Sequence, residues 1–156
     1  MEKTATVHST FQHERSFKAT PERVFAAFAD PASKRRWNYT SGASELIDYA
    51  ADFRVGGGER ATMKFASGPI AGKTLTLESV YEDIVPNERM VWAYRMALDG
   101  KTFSASLATV ELMKTSAGTD LVVTHQGAYF EGADGPEMRK AGWTELMERL
   151  AKEIEG

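Results

Sequence analysis

Between Val7 and Lys18, the apolar residues Val7, Phe11 and Phe17 fall on one parity and His8, Gln12 and Glu14 on the other. This is the period-two signature of a half-buried strand. The rhythm then changes. Thr20 can cap a helix, Pro21 suits its first position, and Val24, Phe25 and Phe28 share one helical face. Arg23 stands where a capping-box Glu would be, so that box is incomplete. Asp30-Pro31 stops this helix, and a second helical turn is expected over 32–37. Strand patterns follow at Arg60 to Phe65, Thr74 to Ile84, Met90 to Met96, Phe103 to Met113 and Leu121 to His125. Gly-Pro, Pro-Asn, Asp-Gly and Ala-Gly pairs separate them, so an antiparallel meander is expected. The last 23 residues return to helical spacing. Trp143, Leu146, Met147, Leu150 and Ile154 form one apolar stripe, with Glu145, Glu148, Arg149 and Lys152 opposite. That stripe needs an apolar surface, and the concave face of the sheet is the one available. The fold class is α+β: a strand, two short helices, a run of strands and one long C-terminal helix.

Composition removes several classes of function. The chain has 156 residues with no repeat or linker, so it reads as one domain over 1–156. Nineteen basic against 22 acidic residues, a net charge of -3, give no excess to draw it to nucleic acid or to a membrane surface. No cysteine is present, which excludes disulfides and thiolate chemistry. The first ten residues contain no apolar signal region, and no apolar run reaches the roughly 18 residues of a span. A cytoplasmic location is expected.

An ordered set of segments then carries a resemblance. These are Arg15 to Phe25, Phe28 to Pro31, Trp37, Phe53 to Gly58, Val85 to Met90, Gly118 to Leu121, His125 to Gly127, and Gly142-Trp143 with Leu146 and Leu150. Together they resemble the START-like superfamily (SRPBCC, Bet v 1-like or helix-grip). The nearer likeness is to the branch named after the C-terminal domain of the activator of Hsp90 ATPase (AHSA1-like). The resemblance implies a curved antiparallel sheet gripping the long helix, with a cavity between them. It further implies a small hydrophobic ligand, lipid-like or polyketide-like, or a cyclase- or hydrolase-type enzyme acting on one. A third reading is a stress-response module that contacts a chaperone. Relatives often follow the tryptophan with Gly-Pro, whereas this chain has Trp37-Asn-Tyr-Thr40 near the expected cavity mouth. The eukaryotic activator also has an additional N-terminal domain, so the chaperone role is not inherited with the name.

Alternation selects the side chains that face the helix. Met63, Phe65, Met90, Trp92, Tyr94 and Met96 point inward, as do Leu121, Val123 and His125. Met adapts its shape, and Tyr and Trp offer a polar tip on an apolar body. The candidate ligand-binding set is Met63, Phe65, Trp92, Tyr94, Met96, His125, Trp143, Met147 and Leu150; each of these also serves as ordinary core. His125 on an apolar face is expected to be neutral, either contacting a ligand as acid–base or hydrogen-bond group, or bonded structurally to backbone or Tyr94. Tyr94 would orient a substrate in the enzymatic reading. Glu59 and Arg15 share an inward parity; paired, they can anchor a polar ligand group or satisfy each other, and Glu59 after its glycine run can equally be solvated. Lys34, Arg35 and Arg36 read as a solvated helix face. The glycine-containing segments Tyr39 to Ser44 and Gly127 to Glu137 are candidates for a lid over the cavity mouth.

Other motifs fail on spacing. Gly68 to Thr74 has three residues between its glycines where a phosphate loop needs four, and a strand follows it. Gly56-Gly57-Gly58 suits a tight bend. His8 and His13 lie on opposite strand faces, so neither a metal site nor any cofactor is expected. No nucleophile elbow surrounds a serine. An edge strand can pair across a two-fold axis, which makes a homodimer one expectation.

Overall fold

The computed structural model describes residues 5–40 and 42–156. The elements, in chain order, are β1 (Val7–Phe17), α1 (Pro21–Ala29), α2 (Pro31–Asn38), β2 (Ser44–Ala51), β3 (Gly58–Phe65), β4 (Thr74–Val85), β5 (Arg89–Leu98), β6 (Lys101–Lys114), β7 (Thr119–Tyr129) and α3 (Pro136–Glu155). The seven strands make one antiparallel sheet in the order β1-β7-β6-β5-β4-β3-β2. The chain therefore runs a meander from β2 to β7 and closes it by laying β1 beside β7. The curved, open sheet grips α3, as the helix-grip fold requires.

Local chemistry explains the helix ends. The Thr20 hydroxyl accepts from the Arg23 N–H at 3.2 Å, and Pro21 occupies the first turn of α1. Asp30 ends α1 and starts α2, its carboxylate accepting from the Ala32 N–H at 3.1 Å. Pro31 is thus the first residue of α2, which runs through Asn38 rather than over 32–37. Proline has no N–H to lose at that position, so it both stops one helix and begins the next.

Strand β2 lies outside the alternation read from the sequence. A bulge between Leu46 and Asp48 slips the pairing with β3 by one residue. Ser44 and Leu46 share an inward parity before it, Tyr49 and Ala51 after it, and Ile47 is left exposed. A bulge resets the period of two, so a strand of eight residues shows no consistent pattern.

The core fills the angle between sheet and helices. Phe11 and Phe17 of β1, Met90 and Trp92 of β5, Val110 and Leu112 of β6, and Leu121 and Val123 of β7 face inward. They pack against Val24 and Phe28 of α1, Trp37 of α2, and Trp143, Met147 and Leu150 of α3. The Trp37 indole N–H donates to the Ala27 carbonyl at 2.9 Å, fixing α2 on α1. Glu153 ties α3 to α2 through the Arg36 guanidinium and the Ser33 hydroxyl, and the Arg36 hydrogen bonds hold its carboxyl below the ordinary range. Among the described residues no helix is long and apolar enough to cross a membrane.

Candidate functional site

Sheet and helix do not meet along their whole length. Between β3, β4, β5, the segment after α2 and the first half of α3 lies a cavity of about 450 Å³. Its apolar walls are Met63 and Phe65, Leu75 and Leu77, Trp92 and Met96, and Trp143 with Leu146. A broader depression of about 800 Å³ lies between Ala50, Arg54, Val80 and Arg95, but it is a shallow trough. Of the two, the first is the deeper and is walled by large apolar side chains, as a small-molecule site is.

Of the nine residues selected from the sequence, Met63, Phe65, Trp92, Tyr94, Met96 and Trp143 line this cavity. His125, Met147 and Leu150 do not; all three are wholly buried in the packing behind its wall. Parity states which face of a strand a residue occupies but not how closely the helix approaches there. The His125 ring stacks on Phe11 at 4.8 Å between centroids and lies 5.9 Å from the Trp143 ring. In the enzymatic reading, His125 would therefore have to act through Tyr94 and not directly.

Two polar clusters border the apolar walls. The first is built on α2 and β3. Lys34 and Glu59 are 2% and 5% exposed, and the Lys34 ammonium stands 2.5 Å from the Glu59 carboxylate. The same carboxylate accepts from the hydroxyls of Tyr39 at 3.2 Å and Tyr49 at 2.5 Å, and Lys34 also donates to the Tyr81 hydroxyl at 3.2 Å. The ammonium sits 5.0 Å from the centre of the Trp92 ring. Burial opposes charge on Lys34, but the Glu59 carboxylate and the Tyr81 hydroxyl outweigh it and hold the ammonium above its ordinary pKa. Burial, reinforced by Glu59, raises the Tyr39 and Tyr49 phenols. Lys34 and Tyr39 line the cavity, so this cluster forms one of its polar margins.

Two expectations are corrected here. Lys34 belongs to no solvated face, because it lies one helical turn before the buried Trp37 and points with it toward the sheet. Glu59 does not pair with Arg15, which instead forms an ion pair with Glu148 of α3 at the surface. The glycine run explains how Glu59 gets there. A Cβ on Gly58 would overlap the Ser79 carbonyl, so glycine lets β3 close on β4 and presents the Glu59 N–H to the Ser79 hydroxyl at 3.1 Å.

The second cluster joins α3 to β5, β6 and β7. Arg139 is 6% exposed and uses its whole guanidinium fork. It donates to Asp134 at 2.8 and 2.9 Å, to Ser104 at 2.9 Å, to Ser106 at 3.3 Å and to the Tyr94 hydroxyl at 3.2 Å. The Tyr94 oxygen is in turn 2.6 Å from His125 Nε2. Burial, aided by the positive charge of Arg139, pushes the His125 pKa down to about 4, so the ring is neutral near pH 7. Strand parity puts Tyr94 and His125 on one face and leaves their pairing as one of several partners for the ring, while the pattern does not mark Arg139. Its signal is positional: it stands four residues before Trp143 on the apolar stripe, opposite the small inward residues Ser104 and Ser106.

The two suspected lid segments are partly anchored. Tyr39 is buried through Glu59, the Thr40 hydroxyl donates to the Arg35 carbonyl, and Gly42 to Ser44 border the cavity. Residue Ser41 of that segment lies outside the described residues. Gly127 to Tyr129 belong to β7, and Asp134 of the following connection is held by Arg139.

Comparison with known proteins agrees with this architecture. The family model described as activator of Hsp90 ATPase homolog 1-like protein matches residues 18–155. The crystal structure of the Mll3558 protein from Rhizobium loti is 44% identical, with a TM-score of 0.84 over 96% of this chain and 99% of that one. A putative uncharacterized protein from Rhizobium leguminosarum is 35% identical, with a TM-score of 0.87 over 96% of each chain. The AHSA1-like protein from Aeromonas hydrophila, at 18% identity and a TM-score of 0.66 over 94% of this chain and 92% of that one, shares the fold. No curated protein matches. With a sheet that grips its C-terminal helix and a family match over nearly its whole length, the chain belongs to the activator of Hsp90 ATPase homolog 1-like family, a branch of the START-like superfamily.

Proposed function

We propose that the protein binds a small, largely hydrophobic molecule in the cavity between the sheet and α3. The observation that carries this reading is the cavity itself. About 450 Å³ is left between elements that are elsewhere closely packed, and its walls are Met, Leu, Phe and Trp side chains. An apolar occupant of these walls removes apolar surface from water and gains contacts that water does not supply. Met63 and Met96 can adapt to the shape of what enters.

The test is a titration with the apolar fluorophore 1-aminoanthracene, read by energy transfer from Trp37, Trp92 and Trp143, which line the site. Saturable binding is expected. A Met96→Trp substitution, which narrows the cavity with a bulkier and less adaptable side chain, is expected to weaken it about tenfold. Val80→Trp, at an exposed position on the other face of the sheet, should leave it unchanged. Equal binding by wild type and Met96→Trp, or no saturable binding at all, would refute the assignment.

A further inference from the structure

The Tyr94 hydroxyl has one proton and two neighbours that compete over it. Arg139 Nη1 can only donate, and it lies 3.2 Å from the Tyr94 oxygen. His125 Nε2, at 2.6 Å, can donate or accept according to its tautomer. Two proton arrangements satisfy that contact. In the first, Tyr94 donates to Nε2, and the single proton of the neutral ring sits on Nδ1. That atom is buried and has no hydrogen-bond partner among the described residues, so the arrangement strands an N–H donor. In the second, the ring carries its proton on Nε2 and donates it to the Tyr94 oxygen. Nδ1 is then a bare acceptor, and the phenolic O–H must turn away from both His125 and Arg139. Tyr94 is one of the residues that line the cavity between the sheet and α3.

An empty cavity favours the first arrangement, because the phenol keeps its partner. A bound molecule with an acceptor oxygen at that point favours the second, because the phenol gains one and the stranded N–H disappears. We propose that Tyr94 donates a hydrogen bond to a carbonyl-type oxygen of the bound molecule, and that His125 changes tautomer as it does so. The inference rests on the ligand-binding reading above and narrows it: the cavity selects an apolar body carrying a carbonyl over a hydrocarbon of the same shape. The proton count is unchanged, since one proton leaves Nδ1 and one arrives at Nε2 while Tyr94 keeps its own. Tyr94 is a recognition donor here, and His125 positions its proton. The neutral state that makes a tautomer change available follows from the depressed pKa of the ring.

The experiment uses the full chain labelled with 15N-histidine and two probes of matched shape, 2-acetylnaphthalene and 2-isopropenylnaphthalene. In the free protein, the His125 nitrogens are expected to report a protonated Nδ1 and an unprotonated Nε2. Saturation with the ketone should exchange those signatures, and saturation with the alkene should not. The ketone should also bind about five- to tenfold more tightly, the worth of one hydrogen bond made in place of an unmade one. In Tyr94→Phe that ratio should fall to about one. An unchanged tautomer in the ketone complex overturns the proposal without any variant. Equal affinity for both probes overturns it while leaving the cavity reading intact. Failure of both probes to bind overturns the cavity reading and this inference with it.

Discussion

A Glu59→Gln variant is expected to unfold about 3–5 kcal/mol more readily than the wild type in chemical denaturation. The Lys34 ammonium has one carboxylate partner, at 2.5 Å, and both side chains are almost entirely removed from water. An amide keeps the shape of Glu59 and part of its hydrogen bonding, but it leaves the ammonium uncompensated. The phenols of Tyr39 and Tyr49 lose a charged acceptor at the same time. Lys34→Met should be similarly costly, since it strands the carboxylate. The discriminating variant is the double substitution Lys34→Met with Glu59→Met. Removing both charges restores neutrality, so its cost should be less than the sum of the single changes by about 2 kcal/mol or more. Additive effects would show that the two groups are not coupled and that the ion pair does not hold this end of the fold.

The second large effect concerns pH. The folded protein holds His125 near a pKa of about 4, while an unfolded histidine titrates near 6.5. Between those values the unfolded chain binds more protons than the folded one, so stability rises with pH across that window. The contribution is fully present above pH 6.5 and is lost as pH falls toward 4. Its size is on the order of 3 kcal/mol. Urea denaturation of wild type at several pH values between 4 and 7.5 should show this slope. His125→Gln keeps a polar group near Tyr94 but cannot titrate, and its profile should be flatter by about one proton. Parallel profiles for the two proteins would mean that His125 is not held neutral by the fold.

How much of this was legible in the sequence depends on where periodicity is preserved. Strands with unbroken alternation, such as β5 with Met90, Trp92, Tyr94 and Met96, declare their inward face directly. Strand β2 does not, because its bulge moves the inward set from Ser44 and Leu46 to Tyr49 and Ala51. The apolar stripe of α3 was readable, but its buried cation was not. Arg139 looks like a surface residue until Ser104, Ser106, Tyr94 and Asp134 converge on it from three other segments. Lys34 was misleading for the same reason. Its carboxylate lies 25 residues away on a different element, and only the tertiary fold joins them. The cavity is a still weaker signal, since it depends on distances between layers. Six of the nine chosen residues line it because parity and composition favour large inward side chains. The other three share that parity or stripe where the helix has closed down.

The buried networks also explain why the cavity persists. The Lys34–Glu59 cluster pins α2 and the residues after it against β3 and β4, and the Arg139 cluster pins the start of α3 to β5 and β6. With both margins held by directional bonds, the apolar walls between them are kept from collapsing onto one another. Native mass spectrometry of the purified full chain, followed by denaturing extraction, shows whether the cavity holds a ligand. A single apolar molecule, carried from the cell or taken up from an offered mixture of apolar compounds, is expected in the wild type, with markedly lower occupancy in Met96→Trp. A wild-type protein that emerges empty and stays empty in that mixture would contradict the ligand-binding reading.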